Sequence, residues 1–106
     1  METLLQKLKD TKNLIAIIII DKFLNITNFH GFITPDKNYI KELQNVVLKI
    51  LQSKIDKKNN KPLFNYISFN HKDNIVIIFN YQQEIVALIG SNELKEPIIR
   101  NIIKSL

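Results

Sequence analysis

Three segments of this chain have no polar face. Leu14 to Ile20, Ile75 to Phe79 and Ile85 to Ile89 are apolar at every position and mostly β-branched. An exposed sheet alternates polar with apolar side chains, whereas a strand covered on both faces has no reason to. Strands of this kind demand layers of structure on both sides of their sheet. Two other segments are more mixed: Leu24 to Phe29 alternates and carries polar side chains, and Leu63 to Asn70 combines polar with aromatic residues. Mixed strands belong at the edges. With the apolar strands central, the five strands take the spatial order 2-1-5-4-3, counted along the chain.

The intervening segments have helical periodicity. Residues 2 to 12 place Leu4, Leu5 and Leu8 on one side, Ser91 to Leu106 gathers Ile98, Ile99, Ile102, Ile103 and Leu106 with Pro97 early in the helix, and the longest helix opens at Pro35. Thr34 is placed to cap that helix, which is expected to run to about Asp56. Its apolar positions, from Val46 through Ile40 to Leu48, span an arc of roughly 200°, wider than the ~100° stripe of a surface helix. A charged back formed by Lys41, Glu42, Asn45, Lys49, Gln52 and Asp56 argues against deep burial. One flank is therefore expected on the sheet and the other on a second polypeptide.

The result is an α/β (α+β) fold, a three-layer α/β/α sandwich around a five-stranded antiparallel sheet, with the element order α-β-β-α-β-β-β-α. At 106 residues the chain is expected to form a single domain over 1–106. No apolar run approaches the roughly 20 residues of a membrane span. Lys7, Lys9 and Lys12 ahead of Leu14 imitate a signal peptide, but Asp10 interrupts them and Asp21-Lys22-Phe23 stands where small cleavage-site residues belong. The expected location is the cytoplasm.

Cysteine is absent, which excludes disulfides and thiolate-bound zinc. The two glycines, Gly31 and Gly90, cannot make a phosphate-binding loop. His30 and His71 lie beside turns or at an edge with no nucleophile and carboxylate to complete a triad, and His71 with Asp73 lacks a third metal ligand. No catalytic residue, metal or cofactor is assigned, and the protein is not expected to be an enzyme. The net charge of +5 permits an acidic partner. Much of the excess lies in Lys54, Lys57, Lys58 and Lys61, read as a solvated loop after the long helix. Phe64 and Tyr66, on one side of their strand beside Lys58 and Lys61, supply an alternative as a nucleic-acid stacking surface. The competing reading for the two aromatics is packing beneath a helix.

The run Leu14 to Asp21 entering the turn Asp21-Lys22-Phe23-Leu24, the long helix from Pro35, and the pair Asn74 to Phe79 and Glu84 to Ile89 together resemble the roadblock family, the dynein light chain and small-GTPase-associated group of α-β-β-α-β-β-β-α domains. The resemblance covers essentially the whole chain. Phe23 stands where the family usually has a glycine, which keeps longin and profilin-like domains as alternatives. The leading Leu4-Leu5-Leu8 helix favours roadblock over longin, which normally begins with its first strand.

The resemblance implies a homodimer, or a heterodimer with a paralogous subunit, in which long helices lie side by side and edge strands join. Such a platform would hold or regulate a small Ras-like GTPase or attach to a larger complex. In this chain the expected dimer interface comprises Tyr39, Leu43, Val46, Val47, Leu48, Ile50, Leu51, Phe64 and Tyr66. Lys41, Lys49, Lys54, Lys57 and Lys58 are the candidate partner-binding residues.

Overall fold

Side chains on a strand alternate between its two faces, so a strand apolar throughout must feed two cores. The computed structural model, which describes residues 2–31, 37–56, 58–59 and 61–105, has both. Its elements are α1 (Glu2–Lys9), β1 (Leu14–Ile20), β2 (Ile26–Gly31), α2 (Lys37–Gln52), a short ribbon of β3 (Ile55–Asp56) with β4 (Lys61–Pro62), then β5 (Tyr66–His71), β6 (Asn74–Tyr81), β7 (Glu84–Ser91) and α3 (Glu96–Lys104). The five long strands form one antiparallel sheet in the order β2-β1-β7-β6-β5. This is the arrangement expected from the polar and apolar strands.

On one face Ile17, Ile19, Ile77, Phe79, Val86 and Leu88 meet Leu4 and Leu8 of α1 and Ile99 of α3. On the other, Ala16, Ile18, Ile20, Val76, Ile78, Ala87 and Ile89 meet Leu43, Val47 and Leu51 of α2. Each fully buried Leu or Ile contributes about 1.5–3 kcal/mol of transfer free energy. The i, i+4 spacing of Leu4 and Leu8 suffices to seat the short α1, and Lys7 Nζ ties it to Ser105 Oγ at 3.0 Å.

Element ends differ from the expectations for local physical reasons. Helix α2 stops at Gln52, not Asp56: the Ser53 hydroxyl donates to the Ile50 carbonyl at 2.8 Å, and Ile55 and Asp56 pair with Pro62 and Lys61. Ile55 still packs on the α2-side core, so the apolar periodicity runs past the helix end. Strand β2 begins at Ile26 because the Asp21 carboxylate accepts the N–H groups of Phe23 and Asn25, each at 2.9 Å, and holds Leu24 at a φ of 66°. The strand then continues through Gly31, two residues beyond the Phe29 end expected from its alternation. Helix α1 ends at Lys9 rather than residue 12, and α3 starts at Glu96 rather than Ser91, which belongs to β7. Pro97 lies in the first turn of α3, as expected. The expected cap Thr34, Pro35 and Leu106 lie outside the described residues.

Gly90 is required by space rather than by backbone angle. A Cβ there would lie 2.9 Å from Leu94 Cβ and 3.1 Å from the Asn13 carbonyl oxygen, where the chain entering α3 crosses the end of β7. The Gly90→Ala variant should therefore lose about 1–3 kcal/mol of stability through overpacking. Urea denaturation should show a lower midpoint with an unchanged slope; an unshifted midpoint would mean that Leu94 moves aside freely.

Candidate interaction surface

Helix α2 divides into three strips. Leu43, Val47 and Leu51 are spent inside the protomer, at 1%, 0% and 0% exposure, so three of the nine residues expected at a dimer interface face the sheet instead. Tyr39 and Leu48 are half-buried against the margins of the same core. The roughly 200° apolar arc is thus partly consumed within the protomer, because the sheet and its loops reach up both sides of the helix. Val46 and Ile50 are half-buried, as is Ile40. At 100° per residue, Val46 and Ile50 share a flank with Tyr39 while Leu48 lies on the other side. The back of the helix is polar, with Lys41, Asn45, Lys49 and Gln52 exposed.

The Tyr39 flank points towards the β5 side of the sheet, as its polar contacts show. Asn74, opening β6, donates to the Tyr39 hydroxyl, and the Lys72 ammonium lies 5.3 Å from the centre of the Tyr39 ring. Lys72 also donates to Glu42 at 2.9 Å, and that hydrogen bond holds the Glu42 carboxyl below its usual range. His71 Nε2 lies 3.6 Å from the second Glu42 oxygen, beyond hydrogen-bond reach. Tyr39 and Glu42 therefore tie α2 to Lys72 and Asn74 at the β5–β6 turn.

Strand β5 is outermost in the sheet and pairs with β6 alone. Its residues, Tyr66 to His71, include no Lys, Asp, Glu or Pro to obstruct further pairing. The expected shared side for Phe64 and Tyr66 is not found. Phe64 precedes the strand in a bend and packs against the α2-side core, whereas Tyr66 packs on the α1 and α3 side. A two-aromatic stacking platform is therefore not formed. Leu63, also expected in the strand, lies in that bend and is 68% exposed.

Tyr66 instead joins a polar triplet with Glu96 and Arg100, of which only the i, i+4 spacing of the latter two is visible in the sequence. Its hydroxyl donates to the Glu96 carboxylate, and the Arg100 guanidinium lies 4.9 Å from the centre of its ring and 3.4 Å from Glu96. Burial first, and then the hydrogen bond to Glu96, push the Tyr66 phenol up to about 12. The Tyr66 hydroxyl in turn holds the Glu96 carboxyl below its usual value. The triplet anchors the edge strand to α3.

Among the candidate partner-binding lysines, Lys41 and Lys49 stand on the back of α2, Lys54 follows the helix, and Lys58 lies in the β3–β4 turn, all exposed. Lys57 lies outside the described residues. The basic stretch is not a loose loop: Asp56 organises the turn by accepting the Lys58 N–H at 3.0 Å and the Asn59 side chain at 3.1 Å. Among the described residues no three His, Asp or Glu side chains converge as metal ligands, and no helix is long and apolar enough to cross a membrane.

No family model and no curated protein matches the sequence. Solved structures do match. The gliding protein MglB from Thermus thermophilus superimposes with a TM-score of 0.70 at 12% identity over 98% of this chain and 79% of its own, and an MglB structure with a tetrameric arrangement gives the same values. A Roadblock/LC7 domain from Streptomyces avermitilis reaches 0.63 at 8% identity over 99% of this chain and 92% of that one. At such identities the likeness is one of fold, and the fold of this chain is the roadblock fold.

The Tyr66 contacts carry a pH dependence of defined sign. A phenol whose value is raised on folding stabilises the protein fully below the ordinary tyrosine value of 10.0 and ceases to do so as the pH rises through about 12. Ultraviolet titration should show a component near 12 that Tyr66→Phe removes and Glu96→Gln moves downward. Loss of a component near 10.0 in Tyr66→Phe would contradict the arrangement.

Proposed function

We propose that the chain is one roadblock-like domain, 1–106, acting as a non-catalytic, dimerising adaptor in the cytoplasm that holds or regulates a small Ras-like GTPase or joins it to a larger complex. The observation that carries this reading is the adjacency of a half-buried apolar flank on α2, formed by Tyr39, Val46 and Ile50, to an outermost strand whose residues are uncharged. A second copy, or a paralogous subunit, that presents the same pair of features would cover the flank and extend the sheet in one step. The likeness to MglB, one structure of which has a tetrameric arrangement, supports assembly through this fold. Leu43, Val47 and Leu51 contribute by holding α2 in place, Leu48 and Phe64 by shaping its margins, and Tyr66 by fixing the strand.

Lys41 and Lys49 would then flank the seam between paired helices, with Lys54 and Lys58 beyond its end, as a basic border suited to an acidic partner surface. The GTPase supplies the nucleotide chemistry. The adaptor supplies a shaped, charged platform.

Val46→Glu would place an uncompensated carboxylate in the seam at a cost of about 3 kcal/mol or more, over a hundredfold in the dimer dissociation constant. Light scattering should show a dimer for the parent and a folded monomer for the variant, with circular dichroism confirming the fold. A variant that remains dimeric would remove the α2 interface. Pull-down with small Ras-like GTPases loaded with GDP or GTP tests the second half; equal absence of binding in both forms would leave a dimer without this partner.

A further inference from the structure

Two strands are outermost in the sheet, and composition does not tell them apart. Strand β2 (Ile26–Gly31) is as free of Lys, Asp, Glu and Pro as β5, and each pairs with a single neighbour. An uncharged outermost strand is a template for a further strand. Pairing through β5 would leave a β2 edge at both ends of the assembly, where more copies could add without limit. A dimer joined through β5 stays a dimer only if β2 is closed.

Two features of β2 have no counterpart in β5. Ile19 faces Asn28 and Ile20 faces Ile26, so Thr27 is an extra residue without a partner on β1. Such a bulge bends and twists its strand, and only Asn28 to Gly31 remain in regular register. The Thr27 hydroxyl donates to the Ile19 carbonyl at 3.2 Å, so that carbonyl faces β2. Successive residues of a strand turn their backbone groups to opposite sides, so Ile18 faces β7, and Phe29 opposite it presents its N–H and carbonyl outward. The Phe29 amide, the first outward donor of the regular run, is already engaged: it donates to Asn28 Oδ1 at 3.0 Å. A strand arriving at β2 must break that hydrogen bond to pair. Strand β5 pairs with β6 without a slip in register, and among the described residues no side chain caps a β5 amide.

We infer that Asn28, together with the bulge at Thr27, closes the β2 edge, so that assembly through β5 stops at two copies. The number of copies rests on the pairing proposed above; the closure itself is a property of the single chain. Outermost strands are commonly guarded by a charge or a proline. Here the guard is an amide side chain that occupies a backbone donor of its own strand.

The test compares the full chain with Asn28→Val and Asn101→Val by analytical ultracentrifugation over a range of concentrations. The parent mass should level off at two copies, whereas that of Asn28→Val should keep rising: each contact between two β2 edges no longer has two caps to break, which favours association by about tenfold or more. Asn101→Val, the same exchange on the exposed face of α3, should behave as the parent. The Val46→Glu variant should have the mass of one chain, and Val46→Glu, Asn28→Val that of two. If the parent itself is monomeric, the α2 seam fails while two copies of Asn28→Val still bear out the closure. Hydrogen exchange is a second readout, with the Phe29 amide expected to exchange several-fold faster in Asn28→Ala than in the parent. Four outcomes would each overturn the proposal: a parent that grows past two copies, an Asn28→Val chain that keeps the parent's mass, equal growth in Asn101→Val, or an unchanged exchange rate at Phe29.

Discussion

Burial of β1, β6 and β7 on both faces is the constraint from which the other features follow. A strand such as Leu14 to Ile20 cannot expose either surface to water without giving up several residues' worth of transfer free energy, so helices must cover both sides. The division of labour is then forced. Helix α2 covers one face alone, and the short α1 combines with α3 to cover the other. Two helices share one face because α1 offers only two fully buried leucines, Leu4 and Leu8, where α2 offers Leu43, Val47 and Leu51 along one stripe.

That constraint also determines which surfaces are left for partners. Central strands are used up, so recognition falls to the two outermost strands, to the back and flanks of the helices, and to the turns. The β5 side carries polar clasps, Tyr39 with Asn74 and Glu42 with Lys72 towards α2, and Tyr66 with Glu96 and Arg100 towards α3, which tie an open edge to helices on both faces. A rigid edge loses less conformational freedom on pairing than a mobile one. The opposite end of the sheet has a different character, with the turn residues Leu24, Gln82 and Gln83 all at positive φ.

Legibility in the sequence tracks how local each interaction is. Strand identity, strand order and the edge assignments were readable because unbroken apolarity is a property of single segments, and it correctly set β2 and β5 outermost. The end of α2 was obscured because Ile55 continues the helical periodicity while packing from a ribbon. Strand β2 was misplaced at its start because Asp21 captures two backbone N–H groups, an interaction with no periodic signature. The sides taken by Phe64 and Tyr66 depended on where β5 begins, so a bend at residues 63–65 reversed one of them. The Tyr66–Glu96 contact joins residues far apart in the chain, and no spacing rule reaches it.

The position of β1 between β2 and β7 has a consequence for how the chain reaches this structure. Strands β5, β6 and β7 follow one another through two-residue turns and can zip together on the microsecond scale of hairpins. Strand β1 must instead meet β7 across the length of the chain, with Ile17 opposite Leu88. Closing that loop loses chain entropy before a single pair of isoleucines is buried. Topology therefore makes the docking of the N-terminal hairpin against the C-terminal meander the step expected to be slowest, and a chain that has not yet made it would leave the inner edge of β7 open, as apolar as the strand that covers it.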